Sequence, residues 1–218
     1  MIKEGMQERL TDFVMQGGAL LTTYMSGIVD QSDNVHLGGY PGPLRELAGI
    51  WVEEIDALAP EQSNGVSLVN EELSGTSNLV SDLIHLENAE ALAHYTSNFY
   101  AGMPAVTKNT FGDGTVYYFG GQLEDQLQDQ LFKTIVEESD ITPVIEEATK
   151  LEIACRENAE AKFFVIINFH EEAQPLPEMF VGKTDLLTGE VLSSEMMLTQ
   201  YTTCLLYTSP SPRDRTRS

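Results

Sequence analysis

Cysteines and long apolar runs are scarce in this sequence of 218 residues. Cys155 and Cys204 are its two cysteines, and neither lies in a CxxC or Cys/His spacing. A disulfide framework and a structural zinc site are therefore not expected, and a reducing cytoplasm fits this composition. No run of about 18 apolar residues could cross a bilayer, and the first residues lack the apolar core of a secretion signal. We expect a cytoplasmic protein without a metal or cofactor.

Basic residues are also few, with 12 Lys and Arg against 34 Asp and Glu, which gives a net charge of −22. This charge opposes the phosphates of nucleic acid and the anionic surface of a membrane. Neither is expected as a partner. The acidic residues are expected to form a solvated surface rather than a cation site.

The first 50 residues combine helix, strand and loop signals. Apolar residues at helical spacing over 6–14 predict a helix that Gly17-Gly18 ends, and the run 19–24 predicts a strand buried on both faces. These form half of an α/β unit, so we expect further strands to precede this chain in the intact protein. A glycine-rich loop over 26–42 follows, and Pro43 begins a short helix that Gly49 ends.

The remainder favours short strands and one long helix. Strands are predicted at 66–69, 83–86, 91–95 and 105–110, and in a hairpin of 106–111 with 115–119. Leucines four apart predict a helix over 123–138. A second, antiparallel β module is predicted at 143–204, with strands at 151–155, 163–169, 179–181 and 192–198. The segment 205–218 is basic and rich in Ser and Pro, so we expect disorder. It resembles a translated sequencing-adaptor peptide, and we expect it to be non-native.

Several stretches resemble the middle and C-terminal domains of glycoside hydrolase family 42 β-galactosidases. They are GGALLTTYMSGIVD (17–30), LGGYPGPLR (37–45), GIWVEEID (49–56), NFYAGMPA (98–105), FGDGTVYY (111–118), FVIINF (164–169) and TDLLTGE (184–190). A string as long as that at 37–45 is more specific than a short motif.

The resemblance implies a retaining enzyme of three domains. These are a TIM barrel with two catalytic glutamates, an α/β trimerisation domain of flavodoxin- or amidotransferase-like fold, and a small β domain. This sequence contains no barrel, so no catalytic residue is carried over. We expect a C-terminal fragment with the trimerisation domain at 1–142 and the small β domain at 143–204. Its partner is then itself, as a homotrimer, and a galactoside would bind only through the missing barrel.

A cluster of Tyr40, Pro41, Pro43, Leu44 and Trp51 is the candidate subunit contact. Tyr and Trp are common interface anchors, and the resembled family trimerises through this domain. Core packing is the alternative explanation for the same residues.

Two other functions are weighed against this one. Ser26, with His36 and Asp30, would make a stand-alone hydrolase, although the GxSxG elbow is absent. A carbohydrate-binding β module at 143–204 would need an exposed row of aromatics, whereas Phe163, Phe164 and Phe169 are expected to be buried.

Three smaller signals are given structural explanations. Asn70-Glu71 resembles a glycosidase acid/base pair but has no barrel around it. Gly112-Asp113-Gly114 is expected to be a hairpin turn rather than a phosphate loop. The four histidines, His36, His85, His94 and His170, lack ligand spacing and are expected to be structural.

Overall fold

The computed structural model describes residues 1–69, 72–145, 149–158 and 161–208. The chain divides into two compact units, Met1–Ile141 and Thr142–Ser218, which we call unit 1 and unit 2. Among the described residues, no helix is long and apolar enough to cross a membrane.

The described residues of unit 1 form three α-helices and eight strands. In chain order they are α1 (Met6–Met15), β1 (Ala19–Thr23), α2 (Arg45–Ala48), β2 (Ile50–Ala57), β3 (Asn64–Leu68), β4 (Ser74–Leu86), β5 (Glu90–Tyr95), β6 (Pro104–Phe111), β7 (Gly114–Phe119), β8 (Gly121–Leu123) and α3 (Asp125–Glu138). The predicted first helix, the helix after Pro43, the 106–119 hairpin and the long helix are confirmed.

The strands of unit 1 form one mixed sheet in the order β1-β7-β6-β5-β3-β4-β2, with β8 paired to β4. Of the strand pairs in the described residues, β1 with β7 is parallel and the others are antiparallel. Helices and a parallel pair thus agree with an α/β class, while most of the sheet is antiparallel.

Both faces of this sheet are covered. Along β7, Tyr117 and Phe119 join the core beneath α3, whereas Val116 and Tyr118 join the core beneath α1 and α2. This alternation follows from the two-residue period of a strand. The α3 side buries Leu127, Leu131 and Ile135, which lie one helical turn apart.

The first strand, β1, lies at the edge of the sheet and is only half-buried. Leu21 packs against the core beneath α3 and Leu20 against the core beneath α1 and α2, so both faces of β1 contact a core. The predicted full burial on both faces is not reached, because β1 is an edge strand. Thr115 N donates to Gly18 O, and Tyr24 N donates to Phe119 O. Since alternate residues of a parallel strand bond to the same neighbour, the backbone groups of Ala19, Leu21 and Thr23 point away from β7.

Unit 2 is built mainly from antiparallel strands. They are β9 (Glu152–Glu157), β10 (Lys162–Ile167) and β13 (Thr203–Thr208) in the order β13-β10-β9, with a separate pair of β11 (Gln174–Pro175) and β12 (Met197–Leu198). The strand predicted at 179–181 is wrong, because Glu178–Phe180 form a 3-10 helix after Pro177. That helix carries the fully buried Phe180 into the core of the unit.

The expected disorder from residue 205 onward is also wrong for its first four residues. Strand β13 continues to Thr208, with Leu205 opposite Val165 of β10. Cys204 and Leu206 alternate inward and are buried, and Leu205 N donates to Asp185 Oδ1 at 2.9 Å. Alternating apolar side chains thus form a strand here, although the segment that follows is rich in Ser and Pro. Residues 209–218 lie outside the described residues.

Candidate functional site

The longest connection of unit 1 begins at the carboxyl end of β1 and runs from Tyr24 to Pro41; we call it the 24–41 loop. It leaves the sheet beside the carboxyl end of β7, where Tyr24 N donates to Phe119 O at 2.7 Å. This is the edge at which α/β sheets commonly place ligand or partner contacts. The loop is therefore the first place to examine for function.

The middle of the loop is a hydrogen-bonded turn around Asp30. Asp30 Oδ1 accepts from the backbone N–H of Ser32 at 2.8 Å and of Asn34 at 3.0 Å. The N–H and amide side chain of Asn34, with the Ser32 N–H, hold the pKa of Asp30 below its usual value. Asp30 N also donates to Asn34 O, and His36 N donates to Ile28 O. The turn consequently has one defined conformation.

The end of the loop is fixed to β2 and to the α2 region. Tyr40 pairs with Val52 as an antiparallel bridge, with Val52 N donating to Tyr40 O at 2.6 Å. Arg45 Nη1 donates to Gly38 O at 3.3 Å. The Tyr40–Pro41 peptide bond is cis.

A buried carboxylate on β4 holds the end of the loop against the sheet. Tyr40 Oη donates to Asp82 Oδ1, and Tyr118 Oη donates to Asp82 Oδ2, each at 2.6 Å. Asp82 is fully buried, and burial raises its pKa to about 6 although both tyrosine hydroxyls act to lower it. Burial and the Asp82 carboxylate raise the pKa of both tyrosines. Asp82 cannot meet a substrate, so this cluster positions the loop.

Beside the loop, Trp51 carries a stack of charged and aromatic groups. The His85 ring lies parallel to Trp51 with centroids 4.3 Å apart, and the Arg45 guanidinium lies 5.6 Å from the Trp51 ring centroid. Arg45 also pairs with Glu87, and His85 Nε2 lies 2.8 Å from Glu53 Oε2. A shell of this kind orients Trp51 along the surface of β2.

The structure separates the five candidate contact residues. Tyr40, Pro41 and Leu44 are buried within unit 1, whereas Pro43 and Trp51 remain partly exposed. The first three thus act as the base of the loop. Three apolar side chains of the loop that the sequence analysis did not single out are exposed, Met25 at 54%, Val35 at 64% and Leu37 at 97%.

The hydrolase arrangement of Ser26, His36 and Asp30 is not assembled. His36 Nε2 is buried without a hydrogen-bond partner among the described residues, and both Asp30 oxygens are engaged by Asn34. Serine activation requires a base within hydrogen-bond reach and a third group that orients that base. The three side chains do not meet this requirement.

The other signals resolve into ordinary structure or fall outside it. Gly112 lies in the β6–β7 turn at φ 60°, which confirms the hairpin prediction. Asn70-Glu71 lies outside the described residues. No group of three or more His, Cys, Asp or Glu in the described part of the chain could hold a metal ion.

Comparison with known families identifies the domain that contains this loop and its sheet. A family model described as the β-galactosidase trimerisation domain matches residues 1–142, the segment that contains both. The chain belongs to this family.

Relatives of this trimerisation domain are whole β-galactosidases. The β-galactosidase LacA of Lactobacillus acidophilus is 44% identical over 197 residues, which are 90% of this chain and 29% of that protein. The β-galactosidase Pbg of Clostridium perfringens is 38% identical over 210 residues, which are 92% of this chain and 30% of that protein. The chain therefore spans less than a third of the length of these relatives.

Solved structures give the same result for the trimerisation domain and the segment after it. The β-galactosidase from Bacillus circulans sp. alkalophilus has a TM-score of 0.74 and 35% identity, and covers 95% of this chain and 31% of that chain. Gan42B, a GH42 β-galactosidase from G. stearothermophilus, has a TM-score of 0.70 and 35% identity, over 96% of this chain and 30% of that chain. Residues 1–142 are thus the β-galactosidase trimerisation domain, and the structural similarity continues beyond it.

Unit 2, which follows the trimerisation domain, has a mixed set of aromatics. Phe164 is buried against Phe180, as expected, but Phe169 is 58% exposed, contrary to expectation, because it follows the end of β10. Tyr201 is 67% exposed, and its N–H donates to Asn168 O. Phe163 is only partly buried, contrary to expectation, and its ring centroid lies 5.5 Å from that of the 47% exposed Tyr207.

Proposed function

We propose that this chain holds three copies of a β-galactosidase together as a homotrimer and takes no part in cleaving the glycosidic bond. The observation that carries the proposal is the match of residues 1–142 to the trimerisation domain. In this view, terminal β-galactosides are hydrolysed by a barrel domain outside these 218 residues. Retaining hydrolysis uses two carboxyl groups about 5–5.5 Å apart facing a sugar, and the buried carboxylate here faces two tyrosines.

We further propose that the complete domain has an amidotransferase-like, flavodoxin-like fold. The outward-facing backbone groups of Ala19, Leu21 and Thr23 support this view, because unpaired strand edges are normally covered. A further parallel strand beside β1 would satisfy them and continue the β1–β7 pairing. Residues 143–204 would then form the small C-terminal β domain.

The setting and partners follow from the same proposal. Cys155 and Cys204 are both free thiols, which suits a reducing cytoplasm. Self-association is proposed from the match to the trimerisation domain, and the net charge of −22 disfavours nucleic acid and membranes as partners. No cofactor or metal enters the proposal.

Sedimentation velocity of the 218-residue chain tests the proposal. We expect a species of three times 24.1 kDa at micromolar concentration, and no hydrolysis of a chromogenic β-galactoside. A chain that stays monomeric at all concentrations up to about 100 μM would contradict the proposal. Association with a Kd weaker than this is marginal. Hydrolysis that is lost on Ser26→Ala would instead favour a stand-alone hydrolase.

A further inference from the structure

Two neighbouring apolar side chains on the 24–41 loop extend into solvent. Leu37 is 97% exposed and Val35 is 64% exposed. Exposing a single leucine is ordinary, but removing such a side chain from water contributes about 1.5–3 kcal/mol. Two of them side by side on a projecting loop form a compact apolar surface, which we call the loop tip.

The loop tip is held in place by its surroundings. On one side, the Asp30 turn and the His36 N–H to Ile28 O bond fix the strand-like arm that carries Val35. On the other side, Arg45 binds Gly38 O, and the Tyr40 hydroxyl binds the buried Asp82. A mobile loop could turn a leucine back onto its own surface. In this loop the leucine points outward, and the hydrogen bonds already order the backbone. Binding therefore costs less conformational entropy than binding by a mobile loop.

Electrostatics favour this surface for contact between identical chains. Each copy carries −22, so like-charged surfaces repel when copies approach. Residues 35–44 contain no Asp or Glu, and Arg45 follows them. The nearest acids in sequence are Asp33 and Glu46, which are exposed, and Asp30, whose carboxylate accepts from backbone N–H groups.

Two other exposed features fit a trimer less well. The free edge of β1 would pair with another β1 edge about a two-fold axis, which gives a dimer, since a ring of three needs two different patches in contact. Phe99 is 81% exposed on the β5–β6 turn, but its ring already packs edge-to-face on Tyr100 with centroids 4.9 Å apart. Phe99 is therefore a matched control.

We propose that Val35 and Leu37 of one copy pack against the neighbouring copy in the trimer. This inference rests on the proposed function and names its contact. The loop tip forms the contact. The buried residues Tyr40, Pro41 and Leu44 hold the end of the loop against unit 1. A second copy of this chain is the occupant, because the chain belongs to a trimerisation family and residues 35–44 carry exposed apolar side chains but no Asp or Glu.

The test compares four forms of the 218-residue chain by sedimentation velocity and equilibrium. They are the wild type, the double variant Val35→Ser/Leu37→Ser, the conservative Leu37→Met and the control Phe99→Ser. We expect the double variant to weaken trimer association at least tenfold, whereas Leu37→Met and Phe99→Ser stay within about twofold of wild type. The Trp51 fluorescence unfolding curve of the double variant should match that of wild type, because its side chains are exposed in the monomer.

The outcomes separate the two proposals. A wild-type monomer overturns the proposed function and this inference with it. A wild-type trimer whose double variant remains trimeric with unchanged affinity overturns only this inference. Equal weakening by Phe99→Ser would also overturn it, because the loss would then follow from exposed apolar area in general.

Discussion

The hydroxyl of Tyr40 and the carboxylate of Asp82 meet at 2.6 Å across 42 positions of sequence. Tyr40 closes the 24–41 loop, and Asp82 lies within β4, next to the edge strand β2. Tyr118 of β7 occupies the second carboxylate oxygen. One buried acid thus joins a loop and two strands, and the energetics of unit 1 should depend on it.

Removal of the Tyr40 hydroxyl should destabilise unit 1. In Tyr40→Phe, the Asp82 carboxylate loses one of two side-chain donors in a buried site, which costs about 1–3 kcal/mol. Urea unfolding followed by Trp51 fluorescence measures this, because Trp51 is the sole tryptophan and lies in unit 1. Tyr24→Phe is the control, since the Tyr24 hydroxyl makes no hydrogen bond among the described residues; a shift of the same size there would refute the argument.

The pH dependence of stability should carry the signature of Asp82. Its pKa is raised from 3.8 to about 6 in the folded state, so the folded chain holds the proton more tightly. Stability from this group is therefore full below pH 3.8 and is lost as the pH rises through about 6. The shift of about two pKa units corresponds to about 3 kcal/mol.

Asp82→Asn isolates that contribution. Relative to wild type, we expect its unfolding free energy to improve by up to about 3 kcal/mol between pH 4 and pH 7. The other carboxyl groups are common to both chains and cancel in the difference. Parallel stability curves across this range would contradict the prediction.

Gly49 should tolerate no side chain. Its φ is 65°, an added Cβ would lie 2.6 Å from Asn109 Cγ, and its carbonyl accepts from the N–H groups of residues 87–89. Gly49→Ala should cost about 2–4 kcal/mol from the left-handed backbone and the clash together. Gly102→Ala is the control, with φ 92° and no atom within 4 Å of the added Cβ. It should cost only about 1 kcal/mol in the same unfolding assay.

Helix α3 should be attached to the sheet mainly through its apolar face. Leu127 is 0% exposed, so Leu127→Ala should destabilise unit 1 by about 2–5 kcal/mol through lost contacts and a cavity. Val136→Ala, at a position that is 41% exposed, should cost less than about 1 kcal/mol. Comparable losses would mean that α3 is not held by this face.

Salt should strengthen the association of copies. Because each chain carries −22, raising NaCl from about 0.05 M to 0.5 M shortens the screening length and reduces repulsion. Sedimentation equilibrium should then give a tighter trimer. A trimer that dissociates at high salt would indicate ion pairs, rather than an apolar loop tip, at the contact.

Patterns among residues close in sequence predicted the helices and turns that form through local interactions. The helical spacing of α1 and α3, and the Gly-Asp-Gly turn between β6 and β7, were enough to place them. Strand β2 was missed because a register shift between Val52 and Ile55 breaks the alternation that marks a strand.

The site itself was predicted only in part. The 24–41 loop was placed correctly after β1, but buried and exposed residues within it could not be separated from sequence. Whether Tyr40 faces a neighbour or the core depends on Asp82, a residue 42 positions away. Leu37 was overlooked because one leucine between polar and glycine residues has no periodicity to interpret.

The parallel pairing of β1 with β7 places Ala19 opposite Thr115. The two strands are therefore synthesised at very different times. A ribosome that adds about 5–20 residues per second needs on the order of ten seconds to pass from one to the other. Throughout that interval the nascent β1 lacks β7, its one partner among the described strands. Non-local pairing of this kind also slows folding. Acidic residues flank this apolar segment in the sequence. Their charge would then protect the growing chain from self-association before the sheet has formed.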